Sequence, residues 1–250
     1  LVDNLDRNRW RVSVVCSTRR DPAFARDVHH MRCSGTEVVV LPMVRSISPL
    51  HDVSALAGLC STLRRLDPDV VHTHGSKAGL LGAMAARRAR VPAVVHTAHV
   101  FPFQMRIAAP LRVFYRRLTR FTTRRADRLV CVSAFQAEEA LRYNLLDERR
   151  ITVIENGVPE PPPVPEGDPA LVRRELGLRT DAPIIGTMGR FCPQKDHRSL
   201  LEAAALVVRR RPGLKVLCVG DGELRARLQR RCTSLGISPN CLFTGPREDV

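Results

Sequence analysis

The sequence has few features of disulfide-stabilised, zinc-binding or nucleic-acid-binding proteins. Its eight cysteines never take the C-x-x-C spacing of zinc sites, and several lie inside apolar strand patterns. Scattered thiols of this kind are typical of a reduced cytosolic protein. Aromatic residues make up only 4% of the chain, whereas proteins that stack nucleic-acid bases use aromatic side chains for the purpose. We therefore expect a cytoplasmic protein that binds neither a metal ion nor nucleic acid.

Lysine and long hydrophobic runs are also scarce. Only three of the 40 basic residues are lysines, so arginine carries almost all of the net charge of +15. A strong positive charge favours anionic partners such as phosphates and acidic lipids. No stretch approaches the ~20 consecutive apolar residues that a transmembrane helix needs. Any membrane contact is therefore expected to be peripheral.

What the sequence does contain is an alternation of short apolar strands with helical patterns. The strands are rich in valine and lack a regular polar–apolar alternation, as expected for parallel strands buried on both faces. The alternation predicts an α/β fold with a doubly wound sheet. In the first part of the chain the predicted strands are 11–17, 37–41, 69–73, 93–97, 128–132 and 151–154, and the predicted helices are 50–66, 77–89, 110–125 and 133–143.

A proline-rich segment divides the chain. Residues 159–165 read PEPPPVP, which indicates a stiff connector. A second α/β pattern follows, so we predict a first domain at 1–158, a linker with a connecting helix at 159–182, and a partial second domain at 183–250. Residues 1–8 look like the tail of a helix, and three strands make a small core. We therefore expect the chain to be a fragment that lacks both ends of a longer protein.

The most informative segment is the turn after the predicted strand 183–187. Gly189 and Arg190 begin it, and Lys195 lies just before a helical pattern. Backbone N–H groups of such a turn, together with the start of the next helix, can face a phosphate. An arginine fork and a lysine charge can neutralise a diphosphate. The alternative is a surface turn with two solvated cations.

Histidines mark two further strand ends. His74 begins a loop with Gly75 and Gly79, and we predict that it faces a ligand, whereas His72 is interpreted as a packed residue. His99 lies just past the next strand, where an imidazole can transfer a proton or bind a sugar hydroxyl. No carboxylate or cysteine stands at ligand spacing beside these histidines, so no metal site is predicted.

The pattern at residues 105–128 is strongly basic. It contains eight arginines with interspersed apolar residues, and no acidic residue occurs in it before Asp127. A basic amphipathic helix is typical of a segment that lies on an anionic membrane surface. The alternative is a solvated helix whose other face covers the core.

In chain order these segments resemble the retaining glycosyltransferases of family 4, which have the GT-B architecture. The resemblance rests on six short motifs that are weak alone and specific in this order. They are His72-Thr73-His74 with Gly79, Thr97-Ala98-His99 with Phe101 and Phe103, Ala126-Asp127-Arg128 leading to Val132-Ser133, Asn156-Gly157-Val158, Gly189-Arg190 with Lys195-Asp196, and Val219-Gly220-Asp221-Gly222.

The resemblance implies two Rossmann-like domains with a cleft between them, the second incomplete here. A nucleotide-diphosphate sugar would bind the C-terminal domain without a metal or other cofactor, and His99 would lie beside the reacting sugar. The implied donor-binding residues are Gly189, Arg190, Lys195, Gly220 and Gly222, of which Arg190 and Lys195 would also stabilise the leaving group. The N-terminal domain would bind a lipid-linked or glycan acceptor through His74, Gly75, Lys77 and Phe101.

The resemblance also implies segments that this sequence does not show, namely a first strand with a glycine-rich loop and, after residue 250, a pair of glutamates eight residues apart. We therefore expect a hexosyltransferase of polysaccharide biosynthesis, peripheral on the cytoplasmic face of the cell membrane, and we expect the longer protein to be the catalyst. Two alternatives stay open. One is a nucleotide-sugar 2-epimerase of the same fold, and the other is a non-catalytic basic module that binds membranes or polyanions.

Overall fold

The computed structural model describes residues 2–19, 24–44, 46–105, 107–157 and 169–247. The chain divides into two compact units, Leu1–Pro159 and Glu160–Val250. Both units are α/β with parallel strands, as the sequence predicted. The proline-rich segment lies outside the described residues.

The first unit contains six strands and five α-helices in its described residues. The strands are β1 (Ser13–Cys16), β2 (Glu37–Val40), β3 (Val70–His74), β4 (Ala93–Ala98), β5 (Arg128–Cys131) and β6 (Ile151–Val153). The helices are α1 (Phe24–Cys33), α2 (Pro49–Leu66), α3 (Ser76–Ala89), α4 (Ala109–Thr123) and α5 (Ala134–Arg142).

The described strands of the first unit form two sheets, where the sequence predicted one. Strand β1 pairs with β2, and the second sheet has the order β3-β4-β5-β6. The prediction was wrong on this point because an alternation of strands and helices indicates parallel strands without specifying which strands pair. The local apolar pattern is the same for a strand in either sheet.

Helix α3 packs closely on the second sheet because it carries glycines on its inner face. A Cβ atom added to Gly79 would lie 2.3 Å from Cε1 of His96, and one added to Gly82 would lie 2.7 Å from Cγ2 of Thr73. His96 is only 4% exposed. The absence of side chains at these two positions therefore leaves room for buried polar groups of β3 and β4 beneath the helix.

The second unit contains three strands in the order β7-β8-β9, and its described helices include two that pack on one another. Phe191, Leu201 and Val216 lie at the centre of its core and are at most 1% exposed. The strands are β7 (Ile184–Met188), β8 (Lys215–Val219) and β9 (Cys241–Gly245), and the α-helices are α6 (Pro169–Glu175), α7 (His197–Arg210) and α8 (Arg225–Ser234).

Local predictions met three different outcomes. Ser133, with Gln136 three residues later, predicts an N-cap for the helix at 133–143. This N-cap is confirmed, since the Ser133 hydroxyl accepts a hydrogen bond from the backbone N–H of Gln136 at 3.2 Å. The helix tail at the start of the chain is wrong, because Val2–Asn4 form a short 3-10 helix that is followed by turns. Helix α1 was not predicted, because its buried side chains are only Val28 and Met31, too few to give a clear helical period.

Candidate functional site

The loops that follow the strands of the second unit are held together by backbone hydrogen bonds. The N–H of Gly189, after β7, donates to Val219 O at 3.0 Å, and the N–H of Gly220, after β8, donates to Gly245 O at 2.8 Å. The N–H of Phe191 donates to Asp221 O at 2.9 Å. The carboxyl ends of parallel strands lie at one edge of a sheet, which is where ligands bind in open α/β folds. This edge is therefore a pre-formed platform of connected loops.

Two glycines allow the loops after β7 and β8 to touch backbone to backbone. A Cβ atom on Gly220 would lie 2.2 Å from Gly189 O, and one on Gly222 would lie 2.5 Å from Phe191 O. Gly220 also has a φ of +125°, which side chains disfavour. The sequence predicted both glycines as donor-binding residues. In the structure, the contact between the two loops requires glycine at both positions, whether or not a ligand is bound.

The two cations predicted to hold a diphosphate both belong to the loop after β7. The Nη2 atom of Arg190 lies 3.2 Å from Oε2 of Glu223, and the two side chains are 63% and 50% exposed. Lys195 forms no ion pair within the described residues, and its Cε atom lies 3.8 Å from the position of a Cβ on Gly189. Exposed ion pairs contribute little stability. The Arg190 guanidinium can therefore exchange its carboxylate for a more highly charged anion.

Phe191 fixes the position of this loop, a role that the sequence motifs did not indicate. Its side chain is fully buried, and its ring packs edge-on against His197 and Phe243 at centroid distances of 5.0 and 5.8 Å. His197 is the first residue of α7, and burial and the nearby charge of Lys195 lower the pKa of its imidazole. Phe191 thus anchors the chain between Arg190 and Lys195.

Three histidine rings form a stack at the carboxyl ends of β3 and β4. The ring centroids of His72 and His74 are 4.2 Å apart, and those of His74 and His99 are 5.5 Å apart. His74 Nδ1 and His99 Nε2 share a hydrogen bond of 3.3 Å, and His72 Nε2 lies 2.7 Å from Oγ1 of Thr97. The structure therefore brings together His74 and His99, which the sequence had placed on separate loops.

Partial burial lowers the pKa of His72 and His74 in this cluster. It lowers the pKa of His74 to about 4, with smaller contributions from His72 and His99. Burial likewise lowers the pKa of His96, beneath α3, to about 4. Neutral imidazoles can both donate and accept hydrogen bonds. Such rings suit sugar hydroxyls better than phosphate. In the described residues, no group of three histidine, cysteine or acidic side chains is placed to hold a metal ion.

The remaining predicted acceptor residues have different surroundings. Gly75 has a φ of +78° and open space around it. Lys77 Nζ lies 2.5 Å from Oδ1 of Asp52 and donates to Ser46 O, so its charge is already engaged by the start of α2. Phe101 is 1% exposed, and its ring stacks on another buried ring. Phe101 therefore belongs to the core, and we drop it from the predicted acceptor site.

The described residues show three further features that bear on function. None of their helices combines the length and the hydrophobicity that crossing a membrane requires. All eight cysteines lie among them, and all are free thiols. Glu223 was not predicted as a site residue. It directly follows Gly222 in a motif that the sequence did indicate, but its pairing with Arg190 joins two separate loops.

Comparison with known protein sequences gives matches along nearly the whole chain. The model of Glycosyltransferase Family 4 matches residues 1–160, and that of Glycosyl transferases group 1 matches residues 170–250. The UDP-Gal:alpha-D-GlcNAc-diphosphoundecaprenol alpha-1,3-galactosyltransferase of Escherichia coli is 34% identical over 83% of this chain and 55% of its own length. The D-inositol 3-phosphate glycosyltransferase of Nocardia farcinica is 35% identical over 72% of this chain and 42% of its own length. The chain thus spans about half the length of these curated relatives.

Solved structures share the fold. The crystal structure of Anabaena HepE in complex with UDP and glucose matches with a TM-score of 0.67, over 95% of this chain and 70% of that one. The sequence identity is 17%. Two Rossmann-like domains, as in the GT-B architecture, are therefore the fold of this chain.

Proposed function

The chain belongs to glycosyltransferase family 4, and from that premise we propose that it transfers a hexosyl group from a nucleoside-diphosphate sugar to a lipid-linked or other membrane-associated acceptor. The observation that carries the proposal is the loop after β7. It presents Arg190 and Lys195 at the carboxyl edge of the sheet β7-β8-β9, anchored by the buried Phe191. The E. coli relative is named for a UDP-galactose donor and a diphosphoundecaprenol acceptor, and HepE was solved with UDP and glucose.

The donor would bind at the second unit through its diphosphate. Arg190 would leave Glu223 and form a two-pronged contact with the phosphates, while Lys195 would add a compact charge from the other end of the loop. Both cations would take over the negative charge that develops on the leaving nucleotide. We propose that this electrostatic role replaces a metal ion, and that the sugar is transferred with retention at the anomeric carbon.

The acceptor would bind at the first unit, beside the histidine stack. His99 would lie next to the reacting sugar, and His74 would orient it through their hydrogen bond of 3.3 Å. Gly75 leaves open space for an acceptor to approach the backbone. We place the reaction on the cytoplasmic side of the membrane, which is supported by eight thiols without a disulfide and by the reducing conditions of that compartment.

Calorimetric titration with UDP tests the donor site. We expect Arg190→Ala and Lys195→Ala each to weaken UDP binding by about tenfold to a hundredfold, because each removes a charge-assisted hydrogen bond. Arg179→Ala is the matched control. Arg179 is an exposed arginine of the same unit that pairs with Asp181 at 2.8 Å, before β7 begins. Unchanged UDP affinity in both loop variants would contradict the proposed donor site.

A transfer assay with labelled donor tests the reaction itself. In the longer protein, we expect His99→Ala to abolish transfer and to leave UDP affinity within a few fold, since His99 belongs to the other unit. Release of an epimerised nucleotide sugar without any acceptor would instead favour the 2-epimerase alternative. Binding to any polyanion, strongly dependent on salt and without preference for UDP, would favour the non-catalytic module.

A further inference from the structure

A cavity of about 550 Å³ lies in the second unit, between the start of α7 and one face of α8. Protein sites for small molecules have volumes in this range, and their walls are mostly apolar with a few well-placed polar groups. The wall of this cavity is mostly apolar, with Cys192 and Pro193 on one side and Leu224 and Leu228 on the other. The cavity therefore has the size and the lining of a small-molecule site.

The face of α8 that lines the cavity combines leucine with arginine. Leu224, Arg227, Leu228 and Arg231 follow one another at spacings of three and four residues, which places them on one side of the helix. Leu228 is only 4% exposed, so it forms the floor, while Arg227 extends from the same face and is exposed. An occupant of the cavity would contact apolar carbon and guanidinium groups together.

The cavity carries an excess of positive charge. Four arginines line it, and Asp196 is the one acidic residue among its described lining residues. Two of the arginines share a nearby carboxylate, since Glu202 Oε1 accepts from Arg198 Nε at 2.8 Å and from Arg231 Nη2 at 2.6 Å. The other two form no ion pair within the described residues and are Arg227 and Arg230. Unpaired guanidinium groups around a cavity favour an anionic occupant, and phosphate above all.

Two nitrogen atoms of the lining residues are buried without a hydrogen-bond partner in the described part of the chain. They are Nδ1 of His197 and Nε of Arg231. His197 is only 4% exposed. Buried polar atoms are nearly always hydrogen-bonded, and a buried atom that lacks a partner costs free energy. A ligand with several oxygen atoms in the cavity could provide the missing partners.

We propose that this cavity binds a phosphate monoester of an apolar, ring-containing small molecule. The phosphate would contact Arg227, Arg230 and the unpartnered nitrogens, and the ring would lie on Leu224 and Leu228. The site is separate from the proposed donor site, because Arg190 and Lys195 are not among the described residues that line the cavity. The proposal does not depend on sugar transfer, because ligand binding is measured without a donor or an acceptor.

Calorimetric titration of the purified chain with 1-naphthyl phosphate tests the proposal. We expect saturable binding at one site per chain. Inorganic phosphate and 1-naphthol should each bind at least about tenfold more weakly, because each offers only one of the two kinds of contact. A saturating concentration of UDP should leave the affinity for 1-naphthyl phosphate within a few fold.

Two variants locate the binding site. R227A/R230A should weaken binding of 1-naphthyl phosphate by about tenfold to a hundredfold, because it removes two charge-assisted contacts. His197→Phe keeps a ring of similar shape against Phe191 and removes the unpartnered nitrogen, so we expect binding about fivefold weaker. The matched control is R209A/R210A, which removes two exposed arginines at the end of α7. It should bind 1-naphthyl phosphate as the unmodified chain does, and circular dichroism checks that every variant is folded.

Four results would overturn the proposal. The first is the absence of saturable binding up to about 1 mM 1-naphthyl phosphate. The second is an equal loss of affinity in R209A/R210A and R227A/R230A, which attributes binding to net charge. The third is full displacement of 1-naphthyl phosphate by UDP, which assigns binding to the donor loop. The fourth is inorganic phosphate that binds as tightly as 1-naphthyl phosphate, which shows that the apolar wall takes no part.

Discussion

Alanine substitution is expected to change stability in opposite directions at two helical glycines, because α3 lies close to the second sheet. Gly79 of α3 has no room for a methyl group, because its Cβ would lie 2.3 Å from the ring of His96. Gly58 of α2 has room, since its nearest neighbour would be the terminal methyl of Leu41 at 3.4 Å. Alanine substitution at the two positions therefore separates helix propensity from packing within one unit.

The gain from helix propensity and the cost of overpacking can be compared directly. Alanine in a helix interior gains about 0.5–1 kcal/mol over glycine. Overpacking a close contact costs about 1–3 kcal/mol, and displacement of His96 would also break its 2.9 Å contact with Thr73 Oγ1, which contributes about 1 kcal/mol. We expect Gly79→Ala to lower the free energy of unfolding of the first unit by about 1–3 kcal/mol, and Gly58→Ala to raise it by up to about 1 kcal/mol.

Urea unfolding followed by tryptophan fluorescence measures both changes. Trp10 is the only tryptophan of the sequence and belongs to the first unit, so its emission reports on that unit alone. A Gly79→Ala variant as stable as the unmodified chain would refute the packing argument, because the close contact with His96 would then carry no measurable cost. A Gly58→Ala variant that loses as much stability as Gly79→Ala would refute the distinction between the sites.

Two further predictions concern stability. His96 has its pKa lowered from 6.5 to about 4 by burial, so the unfolded chain binds a proton more readily. The free energy of unfolding of the first unit should therefore have its full value above pH 6.5 and fall by up to about 3 kcal/mol towards pH 4. Urea unfolding at pH 7 and pH 5 measures this change. A His96→Asn variant whose free energy of unfolding depends on pH as strongly as that of the unmodified chain would contradict the prediction. Gly222→Ala should lower the urea midpoint of the second unit, followed by circular dichroism, because its Cβ would meet the backbone of Phe191 at 2.5 Å. Gly213→Ala, with open space around it, should not change that midpoint.

The sequence predicts the elements of this fold well and their pairing poorly. The six described strands of the first unit and β7 each overlap a predicted strand, because valine-rich runs bounded by turns are a strong local signal. The separation of β1 and β2 from the second sheet depends on contacts between distant parts of the chain. No local pattern records such contacts, and so the prediction of one sheet failed while its strands were identified.

The candidate site shows the same difference between local features, which the sequence predicts, and long-range contacts, which it does not. The sequence identified the loop with Arg190 and Lys195 because a strand end, glycine and two cations occur together within a few residues. It did not identify Glu223 as the partner of Arg190, since that ion pair joins two loops. It also assigned Phe101 to the acceptor, because a residue just past a strand end can face either the site or the core. Only the packing against Phe103 decides between them.

Helix α4 shows why a periodic pattern alone does not define a surface. Its sequence mixes arginines with apolar residues, but the helical period does not say which face meets the core. If the aromatic face were buried, the arginines beside it would be an ordinary solvated rim. Since the structure buries Thr122 and Thr123 instead, Phe114 and Phe121 remain 46% and 39% exposed. Packing against the rest of the unit, and not the period of the sequence, therefore decides which side chains of α4 remain in contact with water.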